Sequence, residues 1–286
     1  MQKKPGYFFL ALVPFILAIV IQVMSELILD LNAMLFGLVM EPDWEVDFLH
    51  RLFFIEQHDD FSTYLMIIYS LISIGVFGFW YYQSCGGCFK PNVRKTFNAK
   101  SLAGAAMLAP GMQFATSILM IFIYIALPGL MSQYSELMED AGLSDSVSAP
   151  MMVYAVILAP ICEELIFRGV TLRCFRKAVP FWVANLLQAL LFGIYHMNWV
   201  QGIYTFCFGL VLGYVCERGG HIYYSMLLHF VFNFFGTIVS ELIGDSTILV
   251  MAYYGFGFAC LVGGIVLFAL GMKEKRAKEN PGPYAR

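Results

Sequence analysis

Glu163-Glu164-Leu165-Ile166-Phe167-Arg168 places two carboxylates and a guanidinium inside a run, Pro150 to Leu172, that is otherwise apolar enough to cross a bilayer. An ionisable side chain at membrane depth costs roughly 2.5 to 3.5 kcal/mol on insertion scales, so it faces the protein interior and marks a candidate functional site. Arg168 follows Glu164 by four residues, which puts the two on one helix face in the favourable acid-before-base order. Glu163 falls about 140° around the helix from Arg168. Its carboxylate therefore needs partners from elsewhere in the chain. The competing use of such a cluster is a purely structural ion pair.

The surrounding composition sets the class. With 286 residues, 60% of them hydrophobic and 13% charged, and a mean hydropathy of +0.73, the chain is far from a soluble domain, whose charged share is about 25%. It reads as an all-α polytopic membrane protein. The net charge of -3 and the scattering of basic residues between apolar runs exclude a nucleic-acid-binding patch.

Runs long enough for a core of about 30 Å are Tyr7–Leu29, Ser62–Tyr82, Leu102–Leu130, Pro150–Leu172, Phe181–Met197, Gly202–Cys216, Ile222–Ile243 and Thr247–Met272. They predict eight transmembrane helices in a single domain, 1–286, with a catalytic core over 150–243. The fifth and sixth runs are short and closely spaced, so a re-entrant pair is the alternative for them. Lys3 and Lys4 resemble the start of a signal peptide, but no small-x-small cleavage site follows, and the first run reads as a retained helix.

Cytoplasmic loops collect Lys and Arg. Eight helices with both termini cytoplasmic put every basic residue except Arg51 inside, and the acidic stretches Glu41–Asp60 and Glu136–Asp145 outside. The expected location is a multi-pass protein of the cell membrane. Trp80 to Tyr82, Trp182, Trp199, Tyr223 and Tyr224 lie near run ends, as interface aromatics do. Trp44 to Ile55 has the spacing of an amphipathic surface helix. Cys162, Cys174, Cys207, Cys216 and Cys260 read as small core residues, and Cys85-Gly-Gly-Cys88 as a turn rather than half of a zinc site.

Later segments supply the polar groups that Glu163 lacks. On the fifth run, Phe192 and His196 are four apart, and Asn185, eleven before His196, returns to nearly the same face; on the seventh, His229 and Asn233 are four apart, with Ser225 and Ser240 close in angle. Counted from Lys177, Pro180 and Glu217 at the expected cytoplasmic ends of their helices, Glu163, His196 and His229 lie at depths of about 21, 24 and 18 Å. They can converge on one site.

A carboxylate beside an imidazole in an apolar cavity polarises water, and Glu163 with His196 suits that task. A second imidazole and a carboxamide one turn apart present N–H donors to a developing oxyanion, and His229 with Asn233 suits that one. The reaction these parts fit is attack of water on an amide or ester carbonyl. A zinc site of the His2Glu type, using Glu163, His196 and His229, is the alternative, although no H-E-x-x-H helix is present.

Glu163-Glu164-x-x-x-Arg168, Phe192-x-x-x-His196 and His229-x-x-x-Asn233, in that order on successive helices, resemble the signature of the CPBP (Abi) family. It contains type II CAAX prenyl endopeptidases and bacteriocin-processing or self-immunity proteins. The resemblance covers about a quarter of the chain. It implies an intramembrane protease acting on a membrane-associated, in some relatives lipidated, peptide. It further implies Glu163 and His196 as water activators, His229 and Asn233 as oxyanion-binding residues, and Glu164, Arg168 and Phe192 as supports, with catalysis either metal-free or zinc-dependent. A non-enzymatic immunity or small transport protein on the same scaffold is the second reading.

Overall fold

The computed structural model describes residues 4–40, 61–85, 96–140, 148–243 and 246–279, and all of the regular structure there is helical. Helices α1 (Gly6–Leu10) and α2 (Val13–Met40) run on from one another, followed by α3 (Phe61–Cys85), α4 (Ala99–Ala126) and α5 (Pro128–Asp140). Then come α6 (Ala149–Ala178), α7 (Phe181–Tyr195), α8 (Trp199–Gly219), α9 (Ile222–Val239), a further turn at Ser240–Ile243, and α10 (Thr247–Glu279).

Seven helical segments among the described residues are long and apolar enough to span a membrane, which makes this a polytopic membrane protein. The eighth expected span is α7, with only 15 residues, while its neighbour extends to 21 in α8. The apolar run undercounted α8 because its ends carry Gln201, Glu217 and Arg218, which helix geometry tolerates and a hydropathy window does not. The surface helix expected at Trp44–Ile55 lies outside the described residues, as does Cys88.

Local chemistry fixes the helix ends. Asn98, Ser148 and Asn198 cap α4, α6 and α8 by accepting from the backbone N–H groups of Ser101, Met151 and Gln201. Gly220, at φ 74°, takes the left-handed conformation that terminates α8, its N–H donating to Cys216 O at 3.0 Å.

α6 is the axis of the bundle. Every residue from Cys162 to Leu172 is buried, as expected of a helix covered on all sides, and α2, α3, α7, α8 and α9 all pack against it. By contrast α2, α4 and α10 present Val20, Phe122, Phe258 and Ile265 outward, an apolar exterior that only lipid satisfies. α4 and α10 lie backbone to backbone, so close that a Cβ on Gly104 would come within 2.3 Å of Phe268 N. Such contact replaces the hydrophobic drive that helices in lipid lack.

Several polar contacts gather helix ends at one face. Lys4 N donates to Lys177 O, Arg176 pairs with Glu217, and Lys275 Nζ donates to both Thr96 O and Gly219 O. Lys100 and Glu274 pair beside them. Trp182 and Trp199 are exposed, as expected of interface aromatics, whereas Tyr81 and Tyr224 are buried. Tyr224 sits inward because its hydroxyl accepts from Asn98 N and donates to Thr96 O. Among the cysteines, Cys162, Cys174 and Cys260 are buried, but Cys207 is exposed.

Candidate active site

Two consecutive carboxylates are buried on α6, Glu163 at 8% exposure and Glu164 at 0%. The helix widens around them into π-helical turns at Tyr154–Leu158 and Leu165–Leu172. Such turns are rare, and they concentrate at functional sites. Arg168 Nη1 meets Glu164 Oε1 at 2.9 Å, as the four-residue spacing predicts.

The same oxygen also receives His229 Nδ1 from α9, at 3.0 Å. On the other side of that ring, Nε2 faces Glu163 Oε2 at 3.6 Å, longer than a hydrogen bond. Thus His229 stands between the two glutamates. A carboxylate only accepts, so Nδ1 of His229 carries the hydrogen in the contact with Glu164.

His196 lies at the C-terminal end of α7, partly buried, with Nδ1 2.8 Å from Phe192 O. A carbonyl only accepts, so Nδ1 carries hydrogen and the neutral ring offers a lone pair at Nε2. The Phe192 ring joins the parts: His196 and His229 meet it edge-on, with ring centroids 4.9 and 6.0 Å away, and the Arg168 guanidinium lies 4.5 Å over it. His196 and Glu163 are within electrostatic range of each other. Asn233 lies one turn beyond His229, but its Nδ2 donates to Ala155 O at 2.7 Å, in the first of the π-helical turns.

Asn185 belongs elsewhere than the spacing implied. Its Nδ2 donates to Leu210 O at 2.9 Å and its Oδ1 accepts from Gln188, so it ties α7 to α8 instead of facing the glutamates. Ser225 Oγ donates back to Ile222 O, and the Ser240 side chain is outside the described ones.

Residues 145–235, the stretch holding all of these side chains, match the Rce1-like family of type II CAAX prenyl endopeptidases. This segment is an Rce1-like domain. The chain is 23% identical over 176 residues to "Uncharacterized protein YpbD" of Bacillus subtilis (strain 168), covering 60% of this chain and 82% of that one. It is 26% identical over 89 residues to "Putative membrane peptidase YdiL" of the same organism, covering 31% of this chain and 36% of the relative. A third relative, an "Uncharacterized 24.3 kDa protein" of Escherichia coli, is 31% identical over 101 residues, or 33% and 45% of the two chains. The matches therefore cover less than half the length of the latter two. No solved structure matches.

Within the Rce1-like domain, a zinc site built on Glu163, His196 and His229 finds little geometric support. Among the described residues no three His, Cys, Asp or Glu side chains are grouped to hold a metal ion, and both His229 nitrogens face carboxylates.

Sequence reasoning passed over Gln188. Its Nε2 donates to Gly209 O at 2.9 Å, the carbonyl that also accepts from Arg168 Nη2 at 3.3 Å. The signal was present, since Gln188 precedes Phe192 by four residues and so shares its face. It also passed over a phenol pair, Tyr195 OH within the domain donating to Tyr69 OH outside it at 2.6 Å, both within electrostatic range of Glu163.

Proposed function

We propose that the protein is an intramembrane endopeptidase that hydrolyses a peptide bond in a membrane-associated peptide or protein. The observation that carries this reading is the buried relay Glu163–His229–Glu164–Arg168 inside an apolar bundle: a carboxylate across from an imidazole whose far nitrogen is anchored by an ion pair.

Glu163 is the general base. It takes a proton from water placed between it and the His196 Nε2 lone pair, and the resulting hydroxide attacks the carbonyl carbon. His229, doubly protonated, turns Nε2–H to the oxygen on which charge develops, and the second N–H of Asn233 adds a donor. The proton on Glu163 then passes to the departing amine as the C–N bond breaks. Glu164 and Arg168 hold the imidazole in this orientation, and Phe192 packs between the two histidines.

Detergent-purified protein assayed with fluorogenic lipidated and unlipidated peptides, beside Glu163→Ala, tests the reading. Cleavage by the wild type and none by the variant is the expected result. No cleavage above the variant with any peptide, combined with intact cellular function of Glu163→Ala, would sink it in favour of a binding role.

A further inference from the structure

A cavity opens at the face where the helix ends gather. It has a volume of about 570 Å³, within the usual range of small-ligand sites, and its lining includes Arg168, Arg173, Arg176, Lys177, Glu217 and His221. One carboxylate thus stands among four cations in the lining. Glu217 is engaged by Arg176, whose Nη2 and Nε lie 2.8 and 3.0 Å from its Oε1. The Arg173 guanidinium lies over the Tyr81 ring at 5.3 Å and Lys177 Nζ over the Tyr7 ring at 4.5 Å, contacts that orient both cations, and both line the cavity. Basic side chains outnumber acidic ones in this lining, Arg168 having its counter-charge in Glu164.

An independent observation points the same way. Arg168 is 1% exposed, and its Nε has no hydrogen-bond partner among the described residues although the side chain borders the cavity. A buried guanidinium N–H without an acceptor is costly, and an anion oxygen is the acceptor that suits it.

Position names the source of the anion. Near this end of the bundle Trp182 stacks on Tyr214 with rings 6.0 Å apart, and Trp182 is 64% exposed, the placement of an aromatic at the headgroup level. Phospholipid phosphates lie at that level, and arginine recognises phosphate by paired N–H donors.

We propose that this cavity binds the phosphate of an anionic phospholipid headgroup, with Arg173 and Lys177 on the exposed side and Arg168 at the buried end. The proposal does not depend on hydrolysis, since Glu163, His196, His229 and Asn233 are not among the residues that line the cavity.

The test is native mass spectrometry of the delipidated full chain, titrated with phosphatidylglycerol or phosphatidylcholine. Phosphatidylglycerol is expected to bind at least tenfold more tightly, and the double variant Arg173→Ala/Lys177→Ala to lose that preference. Arg173→Lys/Lys177→Arg should recover most of it. Arg218→Ala, a charge loss at the same face outside the cavity, should leave it unchanged. If the double variant is not monodisperse, Arg173→Gln alone, at an exposed position, should still weaken phosphatidylglycerol several-fold. Equal binding of the two lipids, or equal loss in Arg218→Ala, overturns the proposal. Stabilisation by millimolar inorganic phosphate, with no preference for phosphatidylglycerol, would assign a free anion and overturn the lipid.

Discussion

Glu164 Oε1 receives both Arg168 Nη1 and His229 Nδ1, so one oxygen carries a structural and a positioning task. Glu164→Gln leaves a buried arginine without its counter-charge, a loss of about 3 to 5 kcal/mol for a broken buried pair. We expect that variant to show reduced folded yield and a lower melting temperature, with residual turnover in whatever folds. Glu163→Gln should instead fold like the wild type and be inactive, because its nearest charged partner is 3.6 Å away and adds little to stability. A well-folded, dead Glu164→Gln in the same size-exclusion and peptide assays would reverse the two roles. His229→Ala and Asn233→Ala should each lower kcat by a factor of about 10² to 10³, the usual effect of removing an oxyanion donor. Asn233→Ala should also cost stability, because Ala155 O loses its side-chain donor. Of these contacts, the Glu164–Arg168 pair was legible, being fixed by helical spacing alone. The His229 contact spans 65 residues and depends on how α6 and α9 pack, so spacing announced a polar face on each helix but not which glutamate the imidazole would meet.

At the scale of helices, the length of the apolar runs located nearly every span. It could not locate the π-helical turns at Tyr154–Leu158 and Leu165–Leu172, because turn width is set by packing and by the groups needing room. Asn185 shows the same limit, for it shares a face with His196 in an ideal helix yet bonds to Leu210 O at the other end of α7. Gly104 offers a test of the α4–α10 contact. Alanine in an unconstrained helix interior stabilises relative to glycine by about 1 kcal/mol. Here its Cβ would meet Phe268 N at 2.3 Å, so Gly104→Ala should lower the melting temperature in detergent. A rise would mean that the two helices separate at no cost.

For the whole molecule, the contacts among Lys4, Lys177, Gly219, Thr96 and Lys275 put the beginnings or ends of α1, α4, α6, α8 and α10 at one face. From the distribution of Lys and Arg along the sequence we propose that this face is cytoplasmic. In a background lacking the native cysteines, Arg94→Cys and a cysteine appended to the C-terminus should resist an impermeant maleimide added to intact cells, and Asp140→Cys should react. Labelling at position 94 from outside would invert the molecule.

The 15 residues of α7 have a further effect. At 1.5 Å per residue the helix is about 22 Å long, against a hydrocarbon layer of about 30 Å. Beyond it the chain turns at His196–Asn198 and presents Met197 and Trp199, 82% and 77% exposed. Hydrophobic mismatch at a short helix is relieved by thinning of the surrounding bilayer. Thinning at the edge of the bundle where His196 sits would shorten the path of water to the glutamates. Turnover in vesicles of increasing acyl-chain length should accordingly fall as the bilayer thickens, while the same protein in detergent, where no leaflet has to bend, should show no such dependence.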